Sequence, residues 1–181
     1  MIFSQSDLCG ALTLNVAYTE FKSRIGQAFS LSIQPQYPGV MGVSIAHTAN
    51  RIVEAAMYLV TCAAFERFVY DITGDEGRGK FRTAIRRECA SGGVRRGLAA
   101  EFEAYWAIRN ALSHHAGIMA KLDIWTYTNS VMLDGAQFLT SGGLNRNSDL
   151  YDLSVPLHTL WFERLRSFIK EITGIMGLPA A

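Results

Sequence analysis

Apolar residues recur along this chain at the three- and four-residue spacing of helices. Within residues 8–30, Phe21, Ile25 and Phe29 are four apart with Lys22 and Arg24 between them, which predicts a helix. Pro35, Pro38 and Gly39 then interrupt the pattern and mark an extended connector. Residues 42–73 carry the strongest signal. Ile52, Ala55, Ala56, Leu59, Ala63, Phe65, Phe68 and Val69 form a broad apolar face in an Ala-rich background. That helix should lie centrally in a bundle, with Glu66, Arg67 and Asp71 on a solvated face bearing local ion pairs. A shorter helix is expected over residues 78–90, another over 97–119, and a last one over 154–176. In the last, Ser154 serves as N-cap, Pro156 suits the first turn, and Leu157, Leu160, Trp161, Leu165, Phe168, Ile169 and Ile172 build the apolar face.

One region breaks the helical rhythm. Residues 124–128 and 130–133 are rich in β-branched and aromatic side chains, and Asp134-Gly135 is a hairpin turn signal. With residues 136–140 as a returning strand, this predicts a small β-hairpin inserted at about 124–140, followed by a polar loop over 141–149. The expected architecture is all-α: an up-and-down bundle of four to five helices carrying that hairpin. Residues 1–41 would be an N-terminal helix and connector packed on a domain spanning 42–181.

Composition adds limits. Hydrophobic residues make up 49% of the 181, enough for a substantial core. The formal net charge of +1 does not announce a nucleic-acid binder, nor does it exclude a local basic site. Cys9, Cys62 and Cys89 are dispersed and lack CxxC spacing, which fits a reducing, cytoplasmic setting with the thiols as small buried hydrophobes. No apolar run is long enough to predict a membrane span, and the N-terminus lacks the basic start of a signal peptide.

Two stretches invite a chemical reading. Gly74, Gly79 and Lys80 match the first part of a phosphate loop. However, Phe81 stands where a hydroxyl should meet magnesium, a helix precedes the motif, and Asp75 and Glu76 would repel phosphate. A helix C-cap and turn is the better account. Beyond it, Arg86, Arg87, Arg95 and Arg96 lie in the most basic part of the chain and are candidate RNA-binding residues.

The densest polar cluster is at the end of the 97–119 helix: Arg109, Asn110, Ser113, His114 and His115, followed by Gly117. On a 100° wheel, Leu98, Tyr105, Ile108, Leu112, His115 and Met119 share a stripe expected to face the core. Trp106, Asn110, His114 and Gly117 fall roughly opposite. That assigns His115 to the core and leaves Asn110 and His114 as neighbours on another surface, which with Trp106 and Ala107 suggests a packed partner helix, such as one from a second subunit. Histidine moves protons near neutral pH, and arginine stabilises charge on phosphate. The pair suits cleavage of RNA by its own 2′-OH, which needs a base, an acid and a charge clamp but no metal.

Arg109-Asn110-Ala111-Leu112-Ser113-His114 resembles the Rx4–6H signature of HEPN domains. Arg109–Gly117 is similar to the form seen in RiboL-PSP-type and related bacterial groups. Tyr58–Ile72 resembles a second helix common to these proteins, here with Glu66 and Phe68. The resemblance covers about residues 42–176. It implies a helical bundle that dimerises through its motif helices and cleaves RNA without cofactor or metal, at a cleft shared by two subunits. On matching positions, Arg109 would contact the transition-state phosphate, His114 would transfer protons and Asn110 would position them. Glu66 would orient the arginine, and His115 is the alternative histidine. Such domains are often toxins or phage-defence effectors with an antitoxin or other system partner. The competing readings are a non-catalytic HEPN-like module for dimerisation or protein binding, and a nucleotide-binding helical bundle.

Overall fold

A computed structural model describes residues 40–74, 79–91, 96–126, 128–152 and 160–175. Over these residues the chain is all-α. The elements are α1 (Val40–Thr73), α2 (Lys80–Ser91), α3 (Arg96–His114), two 3₁₀ turns (Met119–Lys121 and Asp123–Trp125), α4 (Ser130–Ser141) and α5 (Phe162–Ile175). The expected N-terminal helix at 8–30 and its connector lie outside the described residues, as do Arg95, Ser154, Pro156 and Leu157. Among the described residues, no helix is long and apolar enough to cross a membrane.

The helix that carries the polar cluster is the hub. α3 touches α1, α2, α4, α5 and both 3₁₀ turns. Its residues Leu98, Ala100, Phe102, Ala104, Tyr105, Ala107, Ile108, Ala111 and Leu112 are buried, so almost every face of the helix is covered. Aromatic rings link it to its neighbours. Phe81 of α2 meets Phe65 of α1 at 5.5 Å, and Phe102 and Trp106 of α3 at 5.6 and 5.1 Å. Tyr105 meets Phe168 of α5 at 5.3 Å and Phe138 of α4 at 5.9 Å. Each such pair adds about 0.5–1.5 kcal/mol beyond the area it buries, and together they fix the angles at which four helices meet α3. The partner surface expected around Trp106 and Ala107 is therefore supplied within the chain. Trp106 packs on Phe81 and Phe102, and Ala107 is buried.

The inserted β-hairpin does not form. Residues 130–141 are helix α4, and Asp134-Gly135 lies inside it rather than in a turn. The helix starts where Asn129, in extended conformation, accepts a hydrogen bond from Met132 N at 2.9 Å, an ordinary N-cap. It stops in a Schellman arrangement. Gly143 adopts φ +84°, its N–H donates to Thr140 O, Leu144 N donates to Leu139 O, and both leucines are fully buried. Met132, Gly135 and Leu139 are the buried positions, a helical spacing that the β-branched texture had masked. Gly135 is needed for packing. A Cβ there would lie 3.1 Å from Ala100 O and 3.2 Å from Glu103 Cβ, so glycine allows α4 to approach α3 closely. Tertiary packing thus overrides local strand preference.

α1 divides its apolar residues. Ala55, Tyr58, Phe65, Phe68 and Val69 are buried, whereas Ile52 and Val60 are 56% and 53% exposed, with Ala56 and Ala63 exposed beside them. Arg67 and Asp71 make the local ion pair expected near its end, at 2.7 Å. Gly74 closes the helix at φ +67°, its N–H donating to Tyr70 O, as a C-cap should.

Candidate active site

The local geometry of the site follows from how α3 ends. His114 is the last helical residue. His115 N and Gly117 N both donate to Ala111 O, and the backbone turns left-handed at Ala116 (φ +51°) and Gly117 (φ +81°). Only glycine fits position 117. A Cβ would stand 2.6 Å from the Tyr151 ring and 3.2 Å from the Asp149 carboxylate. Two backbone bonds then pin the exit. Leu150 N donates to Gly117 O at 3.0 Å and Met119 N to Ser148 O at 3.1 Å, around an antiparallel bridge between Ile118 and Asp149.

This ending changes the place of His115. The helical wheel stops at His114, so His115 leaves the core stripe. It is half-buried and lines the same cleft as Asn110 and His114, with the two imidazole rings 6.5 Å apart. Met119 does reach the core, through the first 3₁₀ turn rather than along the helix.

Arg109 gathers the cluster. Its Nη1 lies 3.1 Å from Asn110 Oδ1, 3.2 Å from Ser113 Oγ and 3.0 Å from His114 Nε2. Its guanidinium carbon sits 4.8 Å from the centre of the Trp106 ring. Ser113 Oγ donates back to Arg109 O at 2.8 Å. Arginine can only donate, so His114 Nε2 is the acceptor and the neutral ring carries its proton on Nδ1. All these partners are neutral: among the described residues, no carboxylate pairs with Arg109. Glu66, expected to orient it, instead accepts a hydrogen bond from Tyr70 Oη at 2.9 Å. Both Glu66 and Arg109 are close enough to act on the Cys62 thiol, whose pKa burial raises to about 12.

The side chains open onto a cleft of about 120 Å³. Arg82, Asn110, His114, His115, Lys121 and Asp123 supply its polar lining, and Trp106, Ala107, Leu122, Ile124 and Met132 its apolar one. Glu103 forms the inner wall. It is 1% exposed and accepts from Arg82 Nε at 3.1 Å, from Arg82 Nη2, and from Arg86 Nε at 2.7 Å. The candidate RNA-binding arginines therefore separate. Arg86 is held by Glu103, and Arg87 bonds Glu88 at 3.2 Å. Arg96 opens α3.

Arg82 belongs to the basic stretch visible in the sequence, whereas Glu103, Lys121 and Asp123 do not stand out there. Glu103 was nonetheless within reach: positions 103, 107, 110 and 114 share one helical stripe, which puts a carboxylate on the Asn110–His114 face. The two 3₁₀ turns that deliver Lys121 and Asp123 had no periodic signal. Among the described residues, no three His, Cys, Asp or Glu side chains come together as a metal would require. No family model matches this chain, and neither does any curated protein or solved structure.

Proposed function

We propose that this chain is a metal-independent endoribonuclease that works as a homodimer. The observation that carries the reading is the Arg109 guanidinium, bonded among the described residues only to neutral groups and 3.0 Å from His114 Nε2. A cation without a carboxylate partner keeps its full charge for a phosphate, and arginine suits two non-bridging phosphate oxygens. When Arg109 turns to that phosphate it releases His114 Nε2, which can then accept a proton. The ribose 2′-OH loses its proton to that nitrogen and its oxygen bonds to phosphorus. The P–O5′ bond breaks, and O5′ takes a proton from an acid. The products are a 2′,3′-cyclic phosphate and a 5′-hydroxyl end.

One His114 supplies the base; a second chain supplies the acid. Because the chain's own helices cover most of α3, the contact between subunits falls at its C-terminal turn, where Ser113, His114 and Ala116 are exposed. The similarity of residues 109–117 to the HEPN signature supports this composite site. It also supports a cytoplasmic role as a toxin or phage-defence effector with an antitoxin or other system partner.

Incubating the purified protein with total RNA in EDTA tests the reading. The wild type should cleave, while Arg109→Ala and His114→Ala should lose about 100-fold or more of the rate, the usual contribution of a positioned acid–base group. Loss in His115→Ala with His114→Ala unaffected would transfer the role to His115. A second reading, a non-catalytic interaction module, is favoured by one observation: the exposed apolar row Ile52, Ala56, Val60 and Ala63 on α1. Intact RNA with a folded dimer would select it.

A further inference from the structure

The cleft beside His114 has a feature that proton transfer does not use. Lys121 and Asp123 stand on consecutive 3₁₀ turns directly after the motif helix, and both line the cleft. Both are exposed. Neither the Lys121 ammonium nor the Asp123 carboxylate has a hydrogen bond or ion pair among the described residues. The turns that carry them are fixed. Buried Met119, Leu122 and Ile124 anchor them in the core, and Trp125 Nε1 donates to Met119 O at 2.7 Å. One pure acceptor and one pure donor, carried on anchored turns, therefore line the cleft together with the apolar Ala107, Leu122, Ile124 and Met132.

Three properties narrow what such a cleft takes. At about 120 Å³ it has room for about four waters, at roughly 30 Å³ each, and being open it can admit a planar heterocycle. Its apolar lining suits the faces of an aromatic ring. A carboxylate beside an ammonium demands an edge that presents donors next to an acceptor. Guanine does so, with N1–H and N2–H₂ facing the carboxylate and O6 facing the ammonium. Uracil offers a single N3–H to the carboxylate. Adenine and cytosine put an acceptor nitrogen at the centre of the same edge, which a carboxylate repels.

We propose that this cleft is a guanine seat, with Asp123 and Lys121 reading the base edge and placing its nucleotide against His114. The proposal rests on the ribonuclease reading for its biological sense, but its test does not, because mononucleotides offer no phosphodiester to cleave. The full chain would be titrated with the 5′-monophosphates of guanosine, adenosine, cytidine and uridine, and with inorganic phosphate, following Trp106 and Trp125 fluorescence or calorimetric heat.

Guanosine monophosphate should bind at least about tenfold more tightly than the adenosine and cytidine nucleotides, the discrimination of one good two-point base contact. Asp123→Asn should abolish that preference and Lys121→Met should weaken it. Both positions are exposed, so neither variant should alter the circular dichroism spectrum, and Asp123→Asn should leave inorganic phosphate binding unchanged. Equal binding of all four nucleotides, binding of none, or an unchanged preference in Asp123→Asn would overturn the seat. Guanine-selective binding by a protein that cuts no RNA would retain the seat and remove the ribonuclease. Cleavage without selectivity for guanine would do the reverse.

Discussion

Two arginine clusters lie along α3, and they are built on opposite principles. At Glu103, one buried carboxylate is held by Arg82 and Arg86, which joins α2 to α3, and Arg82 and Glu103 line the cleft wall. At Arg109, one guanidinium is held by an amide, a hydroxyl, an imidazole and an indole face, with no acid among them. The first arrangement satisfies charge and closes an interface. The second leaves charge uncompensated at a partly exposed helix end. The same residue type, packed against the same helix in one place and carried by it in the other, therefore serves stability in the first and is available for chemistry in the second. The difference lies in the partner's charge and burial, not in the arginine.

That contrast can be broken by mutation. The largest effect should fall on activity: His114→Ala should slow RNA cleavage by about 100-fold or more, while its unfolding free energy stays within about 0.5 kcal/mol of wild type, as for an exposed residue. A comparable stability loss would mean that the exposed cluster is structural after all. Next comes Glu103→Ala, which should cost about 3 kcal/mol in denaturant unfolding, the low end for removing one partner of a buried ion pair. Arg82 and Arg86 are 32% and 45% exposed and can rehydrate when the carboxylate is gone, which keeps the cost from rising further.

Gly117→Ala should lose about 2 kcal/mol through left-handed strain and contact with Tyr151. It should also disturb cleavage, because the turn at 117 sets where His115 and Lys121 stand. Unchanged stability would show that the turn can relax elsewhere.

The smallest effects are in titration. Burial raises the carboxyl of Glu101 above its ordinary range, even though Tyr105 Oη donates to it at 3.1 Å. The folded state thus holds that proton more tightly than the unfolded chain. Its contribution to stability is fully present below the ordinary pKa of 4.5 and is lost as pH rises through the raised value. Glu101→Gln should therefore flatten the stability profile from pH 4 towards neutrality, as measured by urea midpoints. A profile that keeps its wild-type slope would remove Glu101 from the account. The thiols of Cys62 and Cys89 are raised to about 12 and 11 by burial, and should resist alkylation in the folded protein at pH 8, as read by mass spectrometry of each peptide.

How much of this was legible in the sequence follows the same division. Helical periodicity located α1, α2, α3 and α5 because each buries a continuous stripe, and it identified Gly74 as a cap. It failed at α4, where Gly135 was chosen by the approach of Ala100 and not by a turn, and where β-branched texture outweighed the spacing of Met132, Gly135 and Leu139. In the site, the wheel correctly set Asn110 and His114 side by side. It misassigned His115, because a wheel cannot show that the helix stops one residue earlier. Arg109's neutral partners and the pairing of Arg86 with Glu103 depend on side-chain geometry across elements, which no local pattern carries.

The central claim is that Arg109 is kept for phosphate while the Glu103 cluster holds the fold. The most direct measurement is the RNA cleavage rate of Arg109→Ala, taken beside its unfolding free energy and beside both quantities for Arg86→Ala. The expected result is a split: Arg109→Ala loses cleavage with stability nearly intact, and Arg86→Ala loses stability with cleavage per folded molecule retained. An Arg109→Ala protein that cleaves as the wild type does, or that fails only because it unfolds, would contradict the account.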